Sequence, residues 1–276
     1  MVEVAETRLS TPAGELRLWT HRPSAREPAA VLGEALARAA ERRGEALDFD
    51  GERAYLKGGP LPGKAALRHG LRAMLLRQPP PRLRETANLR WLDEHNFQVP
   101  LPLAAGVLWR AGLPRYQFLL TRWVGQARTL DRVLDEDTPQ ERRPILDELA
   151  REVARMHGLG FVHRDLYPRN LLALDPSATR RVFFLDAWAG GPGAGLRGPA
   201  YDLACLFLEA DRLEPQEQRA FLETYCAVRK ADGRPVPSRL LASVARNRRG
   251  LLRRLAREPA RLRGRPQPGP WTPPSL

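Results

Sequence analysis

Cysteine and long apolar runs are scarce in this sequence, and each scarcity excludes a class of protein. Only Cys205 and Cys226 occur among 276 residues, too few for a disulfide framework or a cysteine zinc site. The longest nearly uncharged stretch, residues 97–109, falls short of the roughly 18 residues that a membrane-spanning helix needs. The first residues, MVEVAETRLS, lack a basic segment leading into an apolar run, so no secretory signal is expected. The protein is predicted to be cytoplasmic.

Lysine is rare as well, and arginine carries most of the net charge of +13. From residue 229 to the end, twelve arginines and one lysine oppose only Asp232 and Glu258, a local balance of +11. The other 228 residues balance to +2. A charge confined to one end of a chain indicates an anionic partner more strongly than an evenly spread one does.

The front of the chain has the pattern of a small β-rich unit. With 43% hydrophobic residues, the chain is long enough for one sizeable core or two lobes. Short apolar or alternating runs predict strands at 15–20, 46–49, 53–57, 99–109 and 116–121. Helices are predicted between them at 64–77 and 82–95.

The pattern becomes helical after residue 129. The clearest helix starts at Thr138-Pro139-Gln140-Glu141, a capping box with proline in the first turn, and ends at Gly158 and Gly160. Further helices are predicted at 202–211, 215–229 and 238–257. We therefore expect an α+β chain of two lobes, a small β-rich one at residues 1–121 and a mostly helical one at residues 122–258. A tail rich in proline and arginine at 259–276 is expected to be disordered.

A single segment between two short strands carries the strongest chemical signal. It reads His163-Arg164-Asp165-Leu166-Tyr167-Pro168-Arg169-Asn170, and Asp186 follows at the end of an apolar run. This matches the HRDxxxxN catalytic loop and the metal-binding aspartate of the protein-kinase-like fold. A loop aspartate can accept a proton from an attacking hydroxyl. Asparagine and a second carboxylate supply the oxygen ligands that Mg²⁺ prefers.

Such a site needs a lysine for the phosphates of ATP and a helical glutamate to hold that lysine. Lys57 ends the predicted strand at 53–57, and Glu85 lies in the first turn of the following helix. Lys64 is the weaker candidate because it follows a proline- and glycine-rich loop.

These residues together resemble the lipopolysaccharide core kinases, which phosphorylate heptose or Kdo sugars. The resemblance extends over residues 47–209 and includes AYLKGG, RETANLRWLDEHNFQVPLPLAAG, HRDLYPRNLL, VFFLDAW and GPAYDLACLF. It implies a two-lobed protein-kinase-like fold that uses ATP and Mg²⁺ near a hinge at 121–126.

The resemblance also assigns roles to individual residues. It makes Asp165 the catalytic base, Asn170 and Asp186 the metal ligands, and Lys57 and Glu85 the pair that positions ATP. His163 and Asp202 would support the catalytic loop from within. The acceptor would be a lipid-anchored sugar at the inner membrane.

The resemblance has departures, and other functions stay open. No GxGxxG loop precedes Lys57, so another hairpin would have to cover the phosphates. The loop also resembles HxDLxPxN of aminoglycoside and fructosamine kinases, which would make the acceptor a soluble alcohol. A third alternative is a non-catalytic basic protein that binds nucleic acid or membrane. The complete Asp165, Asn170 and Asp186 set argues against it.

Two basic helices bear on the partner. Lys64, Arg68 and Arg72 form a stripe on the helix at 64–77, whose other side carries Leu67, Leu71, Met74 and Leu75. This stripe is either a solvated face or a contact for a phosphorylated sugar acceptor. The helix at 238–257 is amphipathic: either it packs on the second lobe with its arginines in water, or these arginines contact an anionic membrane surface. They are Arg246, Arg248, Arg249, Arg253, Arg254 and Arg257.

Overall fold

The structure, a computed structural model, divides the chain into two compact units. Residues 1–125 form the first and residues 126–276 the second. The structure describes residues 5–11, 14–20, 45–49, 51–174, 182–193, 198–234, 236–257, 271–272 and 274. Most of the predicted tail at 259–276 lies outside these ranges.

The first unit is built on one antiparallel sheet of six strands in the order β1-β2-β5-β6-β4-β3. The strands are β1 (Ala5–Thr11), β2 (Gly14–Thr20), β3 (Glu45–Phe49), β4 (Glu52–Pro60), β5 (Pro102–Arg110) and β6 (Leu113–Arg122). Strand β1 was not predicted. Strand β5 begins at residue 102 rather than 99, and the prolines at 100 and 102 have no N–H to donate to a neighbouring strand.

Two helices, α1 (Gly63–Leu76) and α2 (Pro81–Glu94), follow β4. Strands β2 and β4 bury alternate apolar side chains, as period-two patterning requires, whereas the central strands β5 and β6 are buried on both faces over most of their length. Leu16, Leu18 and Phe118 are almost fully buried in this core. Strand β5 passes close to the ring of Phe118 at Gly106, where a Cβ atom would lie 2.3 Å from that ring.

The second unit is mostly helical. Its helices are α3 (Leu130–Glu136), α4 (Pro139–Gly158), α5 (Gly198–Leu206), α6 (Pro215–Ala231) and α7 (Leu240–Arg257). Short strands make two small sheets: β7 (Ala127–Thr129), β9 (Leu171–Leu174) and β10 (Val182–Phe184) in one, β8 (Phe161–Val162) and β11 (Gly191–Pro192) in the other. Instead of one helix at 202–211, α5 ends at Leu206 and a 3-10 helix continues over Phe207–Arg212, because Glu209 has non-helical dihedrals.

Helix α4 begins at the predicted capping box. Thr138 accepts a hydrogen bond from the Glu141 backbone, and the Glu141 side chain accepts one from the Thr138 backbone. Near this end, Arg142 is buried and donates to both carboxylate oxygens of Glu217 on α6, at 2.7 and 2.6 Å. This bidentate pair fixes the register of α4 against α6.

The chain is also held at one point of the expected tail. The indole of Trp271 stacks on the buried ring of Phe207, with centroids 5.6 Å apart, and its Nε1 donates to Gln218 at 2.7 Å. The low apolar content of residues 259–276 does not predict this contact, because a single large aromatic residue, Trp271, makes it. Among the residues described, no helix has both the length and the apolar character that crossing a membrane requires.

The packing at Gly106 leads to a stability prediction. Gly106→Ala should lower the free energy of unfolding by about 1–3 kcal/mol, because the fully buried Phe118 ring has no room to yield. Gly59→Ala is the matched control on β4, since a Cβ there meets nothing within 4 Å. Urea denaturation of both variants measures the difference. Equal stability of the two would contradict the tight packing described for β5.

Candidate active site

The segment from His163 to Asn170 forms a tight loop between β8 and β9. Tyr167 N–H donates to the Asp165 carbonyl at 2.8 Å, and Asn170 N–H donates to the Tyr167 carbonyl at 2.8 Å. The Asn170 side chain closes the loop by donating from Nδ2 to the Asp165 carbonyl, also at 2.8 Å. These bonds hold Asp165 and Asn170 in a fixed relation to each other.

The buried carboxylate of Asp202, on α5, anchors the start of this loop. Oδ2 accepts from the His163 N–H at 2.7 Å, and Oδ1 accepts from the Arg164 N–H at 2.6 Å. Arg164 has a φ of 62°, an unfavourable conformation for a residue with a side chain. Two charge-assisted hydrogen bonds to consecutive N–H groups hold the backbone in that strained turn.

His163 lies inside the protein beneath the loop. Its Nε2–H donates to the Leu185 carbonyl at 2.9 Å, and Nδ1 accepts from the Asp165 N–H at 3.3 Å. Burial lowers the pKa of His163, although nearby carboxylates oppose the shift. A neutral ring with both nitrogens engaged supports the loop and links it to the residue before Asp186.

Asp186 and Asn170 are brought close by the pairing of β9 with β10. Phe184 pairs with Leu171, and the Leu185 N–H donates to the Asn170 carbonyl at 2.9 Å. Asp186 follows at once, with a φ of 55°. The turn after it is closed by a hydrogen bond from the Trp188 N–H to the Asp186 carbonyl at 2.8 Å.

The donor set at this turn fits a hard cation that phosphate oxygens also bind. Because the Asn170 amide nitrogen is committed to the Asp165 carbonyl, the amide oxygen is the atom available to a cation. With the Asp186 carboxylate it gives the oxygen ligands that Mg²⁺ takes in phosphoryl-transfer sites, where phosphates complete the shell. Within the described ranges, no three His, Cys, Asp or Glu side chains gather as a complete protein metal cage would require.

Asp165 has the surroundings of a general base. Burial raises the pKa of Asp165, while the guanidinium of Arg169 opposes the shift. The Arg169 guanidinium lies 3.6 Å from Asp165 Oδ1 and also stacks on the Tyr167 ring, 4.1 Å from its centroid. A raised pKa makes the carboxylate a better proton acceptor than an exposed aspartate. Sequence reasoning gave Arg169 no role.

In the first unit, the structure pairs Lys57 with Glu85. Lys57, on β4, lies with its Nζ 3.1 Å from Glu85 Oε1 on α2, and the Glu85 side chain is completely buried. The other carboxylate oxygen of Glu85 accepts from Arg82, one turn earlier on the same helix. Lys64, by contrast, is exposed on α1. The predicted pair therefore exists, and Arg82 is a third member that the sequence did not reveal.

Two further residues behind the loop were also missed. His157 on α4 donates from Nε2 to Asp202 Oδ2 at 3.1 Å, and its Nδ1 accepts from the Tyr225 hydroxyl on α6 at 2.9 Å. All three side chains are buried. The position of His157 on the apolar stripe of α4 is the one sequence signal that could have drawn attention to it.

The expectation that Arg248 meets an anionic surface is wrong. Arg248 is 3% exposed and donates to the carbonyls of Phe207 and Leu208, each at 2.8 Å. Those carbonyls follow directly after the C-terminal end of α5, next to the non-helical Glu209, where helical acceptors lack regular partners, and the guanidinium satisfies them. The other arginines of the predicted surface are exposed: Arg246, Arg249, Arg253, Arg254 and Arg257.

The buried network predicts a cost for removing one hydroxyl. Tyr225→Phe should lower the free energy of unfolding by about 1–3 kcal/mol, because Nδ1 of His157 loses its donor inside the protein. Tyr55→Phe, at a half-buried tyrosine on β4, is the control and should be near neutral. Chemical denaturation followed by circular dichroism measures both, and a neutral Tyr225→Phe would show that the hydrogen bond adds nothing to stability.

The family model described as "Lipopolysaccharide kinase (Kdo/WaaP) family" matches residues 27–225. A search of curated proteins found no match. Among solved structures, WaaP in complex with acyl carrier protein is similar at 23% identity, with 86% of this chain and 97% of that chain covered and a TM-score of 0.52. Glucosamine kinase (crystal form B) is similar at 14% identity, with 94% and 86% covered and a TM-score of 0.52.

The family match covers most of the chain, and the two structures share its α+β fold with a β-sheet unit and a helical unit. The protein-kinase-like fold and the resemblance to lipopolysaccharide core kinases are both confirmed. The chain belongs to the lipopolysaccharide kinase (Kdo/WaaP) family.

Proposed function

We propose that this protein transfers the γ-phosphoryl group of ATP to a hydroxyl of a heptose or Kdo sugar in the inner core of lipopolysaccharide. One observation carries the proposal: Asp165 and Asn170 are fixed on one loop by Asp202, and β9–β10 pairing brings Asp186 beside them. Such a constellation suits phosphoryl transfer to an alcohol. The family match supports a kinase and supports a lipopolysaccharide sugar as its acceptor.

Asp165 is proposed as the group that orients and deprotonates the acceptor hydroxyl. The sugar oxygen forms a bond to the γ-phosphorus as the bond to the β-phosphate oxygen breaks, the hydroxyl proton passes to the Asp165 carboxylate, and ADP leaves. Burial, which raises the pKa of Asp165, favours this proton transfer. The ion pair with Arg169 opposes the rise and favours the ionised form, which is the form that accepts the proton.

Asn170 and Asp186 are the proposed ligands of Mg²⁺. The ion would neutralise negative charge on the β- and γ-phosphates. The contribution of the protein is to fix the two ligands before ATP arrives. Asn170 is held by its bond to the loop, and Asp186 is held by the turn at Trp188.

Lys57 is proposed to bind the α- and β-phosphates, with Glu85 holding its ammonium group in place. Glu85 is shared between Lys57 and Arg82, and its complete burial prevents water from competing for it. A lysine whose position is fixed by a partner loses less conformational entropy on binding phosphate than a mobile one does.

The proposal also includes the kind of acceptor and the place in the cell where the protein meets it. A lipid-anchored sugar would be met at the cytoplasmic face of the inner membrane, and the exposed arginines of α7 could contact anionic lipid there. The alternative is a soluble kinase of the aminoglycoside or fructosamine type. The HRDLYPRN loop also fits that class.

The first prediction from this function concerns the acceptor and Asp165 together. The wild type should transfer phosphate from ATP to rough-type lipopolysaccharide but not to aminoglycosides or glycated lysine. Asp165→Asn should lower this turnover by a factor of about 10² or more while leaving the fold intact, because the proton acceptor is lost. Radiolabelled ATP measures the transfer.

Asp135→Asn is the matched control, since the side chain of Asp135 is 65% exposed and pairs only with Arg212 among the described residues. Near wild-type transfer by folded Asp165→Asn would contradict the role of the base. Transfer to an aminoglycoside or glycated lysine in place of lipopolysaccharide would establish the alternative.

The second prediction concerns ATP binding by the first unit. Lys57→Ala should weaken Mg²⁺-dependent ATP binding by at least about tenfold, since hydrogen bonds to charged groups contribute about 1.5–3 kcal/mol. Lys64→Ala, which removes an exposed lysine on α1, should bind as the wild type does. Thermal shift against ATP concentration reports both. Loss of the shift in Lys64→Ala and its retention in Lys57→Ala would overturn the assignment.

A further inference from the structure

Helix α1 packs against the rest of the first unit through its smallest side chains. Ala66 and Gly70 are its buried residues. A Cβ atom on Gly70 would lie 2.7 Å from the Leu113 side chain and 3.3 Å from Pro114 on β6. The helix therefore lies tightly against β6 on a face with almost no apolar side chain.

The large apolar side chains of α1 point to solvent. Leu67 is 52% exposed, Met74 71% and Leu75 68%. Together with Leu71 they fall within an arc of roughly 100° on a helix of 3.6 residues per turn. A surface helix normally buries such a stripe and exposes its polar side. An outward-facing cluster of large apolar residues marks an interaction surface.

The charges beside this stripe are all positive. Lys64, Arg68 and Arg72 are exposed along one edge of it, and α1 contains no acidic residue. Arg77 follows directly after the helix. The surface is therefore complementary to a partner that is both apolar and anionic.

The end of the helix distinguishes a bilayer from a protein groove. Met74, Leu75 and Leu76 are each more than 60% exposed, and consecutive residues on a helix point about 100° apart. A groove covers one face of a helix, whereas these three side chains spread over two steps of about 100° at the helix end. The acyl boundary of a bilayer is a broad apolar layer, and a helix lying on it can bury apolar side chains over such a width.

A cavity of about 630 Å³ continues the surface at this end. Met74 borders it together with the indoles of Trp19 and Trp109, the cations Arg17 and Arg77, and Glu15, which pairs with Arg17 at 2.7 Å. Indole rings beside cationic side chains are typical of the membrane interface, where an apolar body meets anionic headgroups.

We propose that α1, with the adjoining cavity, docks the first unit on an anionic lipid bilayer. The apolar stripe enters the acyl boundary, and Lys64, Arg68, Arg72 and Arg77 lie at the phosphate headgroups. This inference deepens the proposed function. It rests on that function in one respect, namely that a membrane presents the acceptor.

Sedimentation with vesicles of phosphatidylglycerol and phosphatidylethanolamine tests the docking surface in the full-length protein. The wild type should bind these vesicles and not vesicles of phosphatidylcholine alone. L67S/M74S/L75S should bind at least about tenfold more weakly, because three apolar side chains are removed from the acyl boundary. Leu159→Ser, at an exposed leucine of the second unit, is the apolar control and should bind as the wild type does.

A second pair of variants tests the charges. K64Q/R68Q/R72Q should also bind more than about tenfold more weakly, since basic residues near an anionic surface contribute about 1 kcal/mol each. R143Q/R219Q/K230Q removes the same charge from exposed positions of the second unit and should retain binding. R246Q/R249Q/R253Q on α7 should retain most of the binding to anionic vesicles. Loss of binding in the α7 variant alone would move the surface to α7 and overturn the inference.

Other occupants of the surface give different results. A fluorophore on Met74→Cys, with Cys226→Ala to remove the half-buried thiol, should report a polar environment that becomes apolar when anionic vesicles are added. An apolar signal without vesicles would mean that residues 21–44 of the same chain, which lie outside the described ranges, or a second copy covers α1. Either result would overturn the inference, as would binding of an acidic protein in place of vesicles.

Kinase assays separate this inference from the function on which it rests. Vesicle binding by Asp165→Asn should equal that of the wild type. If the wild type phosphorylates rough-type lipopolysaccharide but ignores anionic vesicles, the docking surface is wrong and the proposed function stands. If vesicle binding follows the α1 variants as expected but no sugar is phosphorylated, the docking surface stands and the proposed function fails.

Discussion

The buried carboxylate of Asp202 is the group on which the geometry of the loop from His163 to Asn170 depends. It accepts hydrogen bonds from the backbone of His163 and Arg164 and from the imidazole of His157. An ionised carboxylate inside a protein is costly unless its lone pairs are satisfied, and here three donors satisfy them. In return, two consecutive N–H groups are fixed, including that of a residue with positive φ. The direction of the chain entering Asp165 follows from this constraint.

The constraint reaches beyond the loop because hydrogen bonds that start at this carboxylate connect three helices. Asp202 belongs to α5, His157 to α4, and Tyr225 on α6 holds His157. The packing of α4 against α6 is fixed separately by Arg142 and Glu217 near the beginning of both helices. Helix packing in this unit thus also places the proposed base. A residue far from Asp165 in sequence, such as Tyr225, can act on the site by holding its support.

The sequence predicts those parts of the site that are close together along the chain. Asp165 and Asn170 are five residues apart on one loop, and Asp186 follows the next strand pair, so spacing alone indicates that they converge. Lys57 and Glu85 are predictable because a strand end and the first turn of the next long helix can meet. The partners that spacing does not reveal are Arg82, His157 and Tyr225. Their contacts depend on side-chain direction and on the packing of helices distant in sequence, which periodicity does not specify.

Helices α1 and α7 show the same limit at the surface. Both sequences combine an apolar stripe with basic residues, so periodicity alone describes both as basic amphipathic helices. In α7, Leu240, Val244 and Leu251 are buried. Arg248 is buried with them because backbone carbonyls accept hydrogen bonds from its guanidinium. In α1, Gly70 allows such close contact with β6 that the small face is buried and the leucines are left outside. A hydrophobic stripe defines a face of a helix, but the shape of the surface beneath decides whether that face is buried or exposed. In α1, Gly70 contributes to this close approach, because a Cβ there would lie 2.7 Å from the Leu113 side chain and 3.3 Å from Pro114, and both would have to shift.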